Sequence, residues 1–236
     1  MPHATEDYQR RILRLKADLS EQGRRVERMV ESAVEAVFDH DLTKARWVMD
    51  HDRVIDRADI EIEQAVVTLL TEIARAPVNL EPRLMRLVLM IVKVNNELER
   101  CADLAGDIAE QVPVFASLSD RPRDRFRVMA NSVVGIVRDV VTAFNDEDVA
   151  NAQAVLAADD AMDEFERAIL HDMQQRLADG AVAVEFAFAT TIVAHLLERL
   201  GDHCTNVAEQ VIYIATGKIV RHLEGHWTEP EEPPDS

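Results

Sequence analysis

The stretch Leu98-Glu99-Arg100-Cys101-Ala102-Asp103 returns later in the chain as Leu197-Glu198-Arg199-Leu200-Gly201-Asp202. Laid over one another, residues 98–112 and 197–211 agree at eight of fifteen positions. About one match is expected by chance, so the chain carries an internal repeat. The agreement includes Glu99 with Glu198, Asp103 with Asp202, and Ala109-Glu110-Gln111-Val112 with Ala208-Glu209-Gln210-Val211. Apolar residues around both copies recur every three or four positions, which places each copy near the C-terminal end of a long helix. Positions four apart share a helix face, so Glu99 and Asp103 point the same way, as do Glu198 and Asp202.

The repeat continues upstream. Asp41-Leu42, Ala45, Val48, Asp52 and Asp56 align with Asp148-Val149, Ala152, Val155, Asp159 and Asp163. Each half therefore reads as a helix, then a helix opened by an aspartate and carrying D-x-x-x-D, then a helix ending in L-E-R-x-x-D. The periodicity predicts helices over residues 6–38, 42–75, 80–112, 123–144, 148–178 and 182–216. Asp41 reads as the N-cap of the second, Asn79 as a cap for the third, and Gly217 as the C-cap of the last. Gly23 falls inside the first helix as a tolerated small residue. Pro113 and Pro122 bracket a polar connector, and helices usually stop before a proline. The expected fold is all-α: six helices as two tandem, similar antiparallel three-helix bundles, residues 1–116 and 117–223. A proline-rich acidic tail, residues 224–236, is expected to be disordered.

Bulk properties narrow the function. A formal net charge of −18 argues against nucleic-acid binding, which needs a basic face, and against docking on anionic lipid. The longest apolar run, Leu87–Val92, is far short of the ~20 residues that span a bilayer. Residues 1–30 are charged throughout and lack the apolar core of a secretory signal. A cytoplasmic location is expected. Cys101 and Cys204 fit a reducing compartment and read as small core residues. The arginines of the first helix, Arg10, Arg11, Arg14, Arg24, Arg25 and Arg28, read as a solvated face, with a docking strip for an acidic partner as the alternative.

The carboxylates carry the functional argument. Asp52 and Asp56 share one face of the second helix and would meet Glu99 and Asp103 across an antiparallel pair. Like charges at this spacing repel, and a metal ion or small cluster between them removes the penalty. Oxygen-only ligands suit Mg, Mn or Fe, with Zn also allowed. The second set is Asp159, Asp163, Glu198 and Asp202, which His195 could join from the same face. The alternative is a solvated acidic face, with Arg100 and Arg199 pairing to carboxylates of a neighbouring helix or subunit. Di-iron helical oxidases need Glu-x-x-His on two helices, and no glutamate here has a histidine three residues later. No P-loop, glycine-rich phosphate cradle or activated nucleophile is present. An enzyme is therefore not expected. A metal-dependent enzyme or metal-storage bundle using the same carboxylates stands as the alternative to a regulatory protein, and a generic helical scaffold as a third reading.

The tandem L-E-R-x-x-D motifs, Leu197 to His203 in the second copy, and the pairs Asp52/Asp56 and Asp159/Asp163 resemble the PhoU family of phosphate-uptake regulators over residues 8–217. The resemblance implies two similar three-helix bundles, a cytoplasmic and often dimeric protein, and repression of the phosphate-starvation response when phosphate is plentiful. It implies contact with the ATPase subunit of the phosphate ABC transporter and with a membrane sensor histidine kinase. It also implies divalent or trivalent metal ions, or a multinuclear iron or other cluster, held by Asp52, Asp56, Glu99 and Asp103 and by Asp159, Asp163, Glu198 and Asp202. Cys101-Ala102 stands where the family tends to have an aliphatic residue and Gly, and Asp107 where Asn is usual. The first site is thus expected to be the more acidic, with unequal loading of the two halves.

Overall fold

The computed structural model describes residues 2–76, 78–223 and 226–228. Six helical rods run in chain order: α1 (Pro2–Asp39), α2 (Leu42–Arg75), α3 (Pro82–Ser117), α4 (Asp124–Asp146), a fifth rod in two segments, α5 (Val149–Ala157) and α6 (Asp159–Ala178), and finally α7 (Val184–Thr216). Helices α1, α2 and α3 pack pairwise into one bundle, and α4, α5/α6 and α7 into the second. The bundles join along two seams, α3 on α7 and α1 on α4. Buried apolar residues from both halves form one continuous core, from Ile12 and Leu19 through Ile91 and Ile108 to Leu197 and Val211.

The repeat extends to the turns. Asp41 and Asp148 cap α2 and α5, each accepting from two backbone amides, Thr43 and Lys44 in one case and Ala150 and Asn151 in the other. The residue before each cap, His40 or Glu147, is left-handed, at φ 57° and 53°. The cap's own N–H bonds back to Ala36 or Ala143, both at 3.0 Å, which ties off the preceding helix in a Schellman-type turn. Gly217 closes α7 at φ 77°, as expected.

Four expectations are corrected. Helix α3 does not stop at Val112 but runs through Pro113 to Ser117. The proline removes one backbone bond, but Phe115, fully buried, anchors the following turn edge-on against Phe186 at 5.6 Å. Asn79 is not the cap of α3. Glu81 holds that position without a side-chain bond, and Pro82 opens the helix, where its missing N–H costs nothing. The expected single helix over 148–178 breaks at Ala158, whose N–H bonds to Val155, three residues back, at 3.1 Å. A tightened turn of this kind re-aims the rod. Finally, His226–Thr228 in the expected tail pairs antiparallel with Arg221–Leu223. The remainder of the tail lies outside the described residues.

Gly23 has a packing role. A Cβ there would lie 3.1 Å from both methyls of Val141, so the glycine lets α1 approach α4 closely. Nearby, Lys16 bonds Glu147 at 2.8 Å and Arg138 bonds Glu27 at 3.0 Å. Cys101 and Cys204 meet on the α3–α7 seam, both buried. Contact with Cys204, then burial, push the Cys101 thiol well above its usual range, so it stays protonated and unreactive.

Candidate metal centres

Among the described residues two clusters of ligand-type side chains form, one between the second and third rods of each bundle, the second on the positions equivalent to Asp59, Asn96 and Glu99 rather than to the members of the first. In the first, carboxylate oxygens of Asp52 and Asp56 on α2 and Asp103 on α3 lie within 4.8 Å of one another. Oxygens on opposite sides of one cation at ordinary ligand distances are about 5 Å apart, so the spacing suits a shared ion. Asp52 is half-buried, and its Oδ1 is buried with no hydrogen-bond partner. Burial, then the charges of Asp56, Asp103 and Asp107, hold its carboxyl above the usual range. Glu99 adjoins the group, and its carboxyl is raised by burial and then by Asp103.

In the second cluster, Glu166 on α6 and His195 and Glu198 on α7 bring ligand atoms within the same 4.8 Å. His195 Nδ1 is 2.9 Å from Glu166 Oε1 and 3.8 Å from Glu198 Oε2. Burial, then Asp202 and Glu166, push the Glu198 carboxyl up to about 7. Asp202 reaches the surface, yet partial burial and Asp163 raise its carboxyl too. Each cluster is a group of acids that resists carrying its full charge, the electrostatic state that a bound cation relieves.

Of the eight carboxylates expected from sequence, the structure groups Asp52, Asp56 and Asp103 directly and sets Glu99 beside them. Glu198 anchors the second group, with Asp163 and Asp202 bearing on it electrostatically. Asp159 stands apart. The break at Ala158 leaves it lining a polar cleft of about 720 Å³ with Asp202, Glu97 and Glu209. His195 joins its site as expected. Glu166 was missed, although its counterpart in the first half is Asp59, the third acid in D-x-x-x-D-x-x-D. Asp59 accepts from Asn95 Nδ2 at 2.6 Å on the edge of the first cluster, so the third acid of the repeat was the available signal. Arg100 pairs along its own helix, with Asp103 at 3.2 Å and Glu99 at 3.5 Å, rather than with a neighbouring helix.

The fold and its two acidic sites define a class: tandem three-helix bundles with a carboxylate cluster between the second and third rods of each half. A PhoU domain matches residues 19–112 and again 126–211, and the chain belongs to the PhoU family. It is 32% identical over 218 residues to the phosphate-specific transport system accessory protein PhoU homolog 1 of Thermotoga maritima, covering 92% of each chain. It is 29% identical over 217 residues to the homolog of Zymomonas mobilis, covering 92% of this chain and 90% of the relative. The crystal structure of PhoU from Pseudomonas aeruginosa superposes with a TM-score of 0.82 at 26% identity, covering 89% of this chain and 99% of that one. PhoU from Streptococcus pneumoniae gives 0.80 at 21% identity, covering 91% and 99%. No helix among the described residues is long and apolar enough to cross a membrane.

Proposed function

We propose that this chain is a regulatory accessory protein of a phosphate uptake system, acting in the cytoplasm without catalysis of its own. It holds phosphate uptake and the starvation response down when phosphate is ample. Its partners are the ATPase subunit of the phosphate ABC transporter and a membrane sensor histidine kinase, and its working form is a homodimer. The observation that carries this reading is PhoU membership across both halves, together with an acidic cluster between the second and third rods of each. Relatives covering nearly the whole chain bear the name phosphate-specific transport system accessory protein.

The same reading includes metal. Asp52, Asp56 and Asp103, with Glu99 beside them, supply an oxygen-only set for one ion or cluster. Glu166, His195 and Glu198, with Asp163 and Asp202 nearby, supply a mixed oxygen and nitrogen set for the other. Mg, Mn and Fe suit the first, and Fe, Mn or Zn the second. The orphaned Oδ1 of Asp52 is a buried acceptor that an ion would satisfy. A bound cation fastens α2 to α3 and α6 to α7, so loading stiffens each bundle and removes negative charge from its face.

The test is a phosphate-starvation promoter reporter in cells lacking the chain, grown in ample phosphate. The reporter is expected to switch on, and the wild-type chain to restore silence. A reporter that stays silent in the deletion strain sinks the regulatory reading. Pull-down under high phosphate is expected to recover the transporter ATPase and the kinase, and recovery of neither counts against the adaptor role.

A further inference from the structure

The N-terminus of α4 opens onto a cavity of about 550 Å³ in the second bundle, away from the carboxylate clusters in residue content. Three observations there point to one ligand chemistry. Helix α4 is 23 residues long, and its N-cap position is held by Arg123, which makes no side-chain capping bond. The first-turn amides thus lack a side-chain acceptor, and a helix start of this length favours negative charge.

Two arginines, Arg123 and Arg125, line the same cavity. Arg123 uses one donor on Asp172 Oδ1 at 2.7 Å, and four remain. Asp172 also lies 3.9 Å from Arg176 Nη1, so its charge is matched from two sides. Arg176 Nη1 is itself a buried donor with no hydrogen-bond partner.

The third observation is Thr190. It is 1% exposed, it lines the cavity, and its hydroxyl has no partner. Thr68, Thr71, Thr142, Thr191 and Thr216 each donate instead to the carbonyl four residues back in their helices. Phe126 N–H already donates to the Arg123 carbonyl at 3.0 Å, which leaves the amides of Asp124 and Arg125; with two arginines and an unpartnered hydroxyl they are the donor set that receives phosphate or sulfate oxygens. Asp124 and Asp172 are the lining carboxylates that oppose an anion, the second of them already paired with Arg123. Ile169 and Met173 supply an apolar wall larger than a bare oxyanion needs.

We propose that this cavity binds a tetrahedral oxyanion, either free or as the head of a small phosphate monoester, at the start of α4. The proposal goes beyond the regulatory reading and stands without it, because binding is measured on the purified chain alone.

The experiment is calorimetric titration of the full-length chain, stripped of metal by chelator and exchanged into clean buffer. The probes are inorganic phosphate, sulfate and adenosine monophosphate. Saturable binding with one anion per chain and a Kd of about 1 mM or tighter is expected. Arg125→Ala, an exposed side chain, is expected to weaken it about tenfold, the loss of one charge-assisted hydrogen bond. Thr190→Val is expected to weaken it about threefold or more, and Asp124→Asn to tighten it. Arg10→Ala, on α1, serves as the control and is expected to change nothing. Equal affinity for the three probes assigns the site to free anions, and a tenfold preference for the nucleotide assigns it to monoesters. Failure of every probe to saturate by about 20 mM, or saturation unchanged by Arg125→Ala, overturns the proposal.

Discussion

Glu198 shows what a single side chain contributes to this molecule. Its carboxyl sits up to about 7 because burial, Asp202 and Glu166 all oppose its charge. A carboxyl raised above its unfolded value holds a proton that the unfolded chain has lost. The metal-free protein therefore loses stability as pH rises from about 4.5 to 7. Glu198→Gln is expected to stabilise the metal-free protein at pH 7.5 by about 1 kcal/mol after allowance for solvent screening. The gain is expected to vanish toward pH 4.5, as read by urea unfolding. Under the proposed ligation the sign is expected to reverse with saturating metal, because the wild-type carboxylate then serves as a ligand. Glu166→Gln is expected to weaken metal binding in the second cluster by about tenfold or more while leaving the first intact, as read by competition with a chromophoric chelator. Equal loss at both sites would show that Glu166 does not belong to one centre. Most of these residues were legible in the chain, since spacing alone sets Asp52 beside Asp56 and Glu99 beside Asp103. Glu166 was harder to see because the repeat changes aspartate to glutamate at that point, so a strict match passes over it. Asp159 misled for the opposite reason: its identity is retained while the rod beneath it is broken.

Among the elements, the junction of α1, α3 and the α4–α5 turn is held by one carboxylate. Glu147, only 12% exposed, meets Lys16 at 2.8 Å and Arg83 at 2.6 Å. Burial alone would raise its carboxyl, but the bonds from Lys16 and Arg83 win and hold it below the usual range. A carboxyl lowered in this way contributes stability that is present above its unfolded value near 4.5 and is lost as pH falls below it. Glu147→Gln is expected to cost about 1–3 kcal/mol at pH 7, with the difference from wild type shrinking below pH 4, as read by chemical denaturation. A constant difference at all pH values would mean that the charge is not the cause. Element type was legible from periodicity, and the caps at Asp41 and Gly217 from local chemistry. The ends of α3 and the break at Ala158 were not, because both depend on distant packing. Pro113 says stop, but Phe115 finds its place against Phe186 on α7. Leu156-Ala157-Ala158-Asp159 contains no helix breaker, so nothing local marks the bend.

For the whole molecule, the issue is whether two bundles behave as one. Their shared core and two seams make them a single cooperative unit, and coincident unfolding curves from far-ultraviolet dichroism and calorimetry are expected. Gly23→Leu improves helix propensity yet forces a side chain into Val141 on α4, so it is expected to destabilise by about 1–3 kcal/mol. A stabilised Gly23→Leu protein would refute the close-approach role. The thiols on the other seam lead further. Cys101 and Cys204 face each other from different halves and are sealed from solvent. A thiol reagent in excess can consume them only when α3 and α7 part. The labelling rate is therefore a clock for the opening of this seam, readable in the unmodified protein. Any ion, anion or binding partner that clamps the halves together will slow that clock, and any that pries them apart will quicken it.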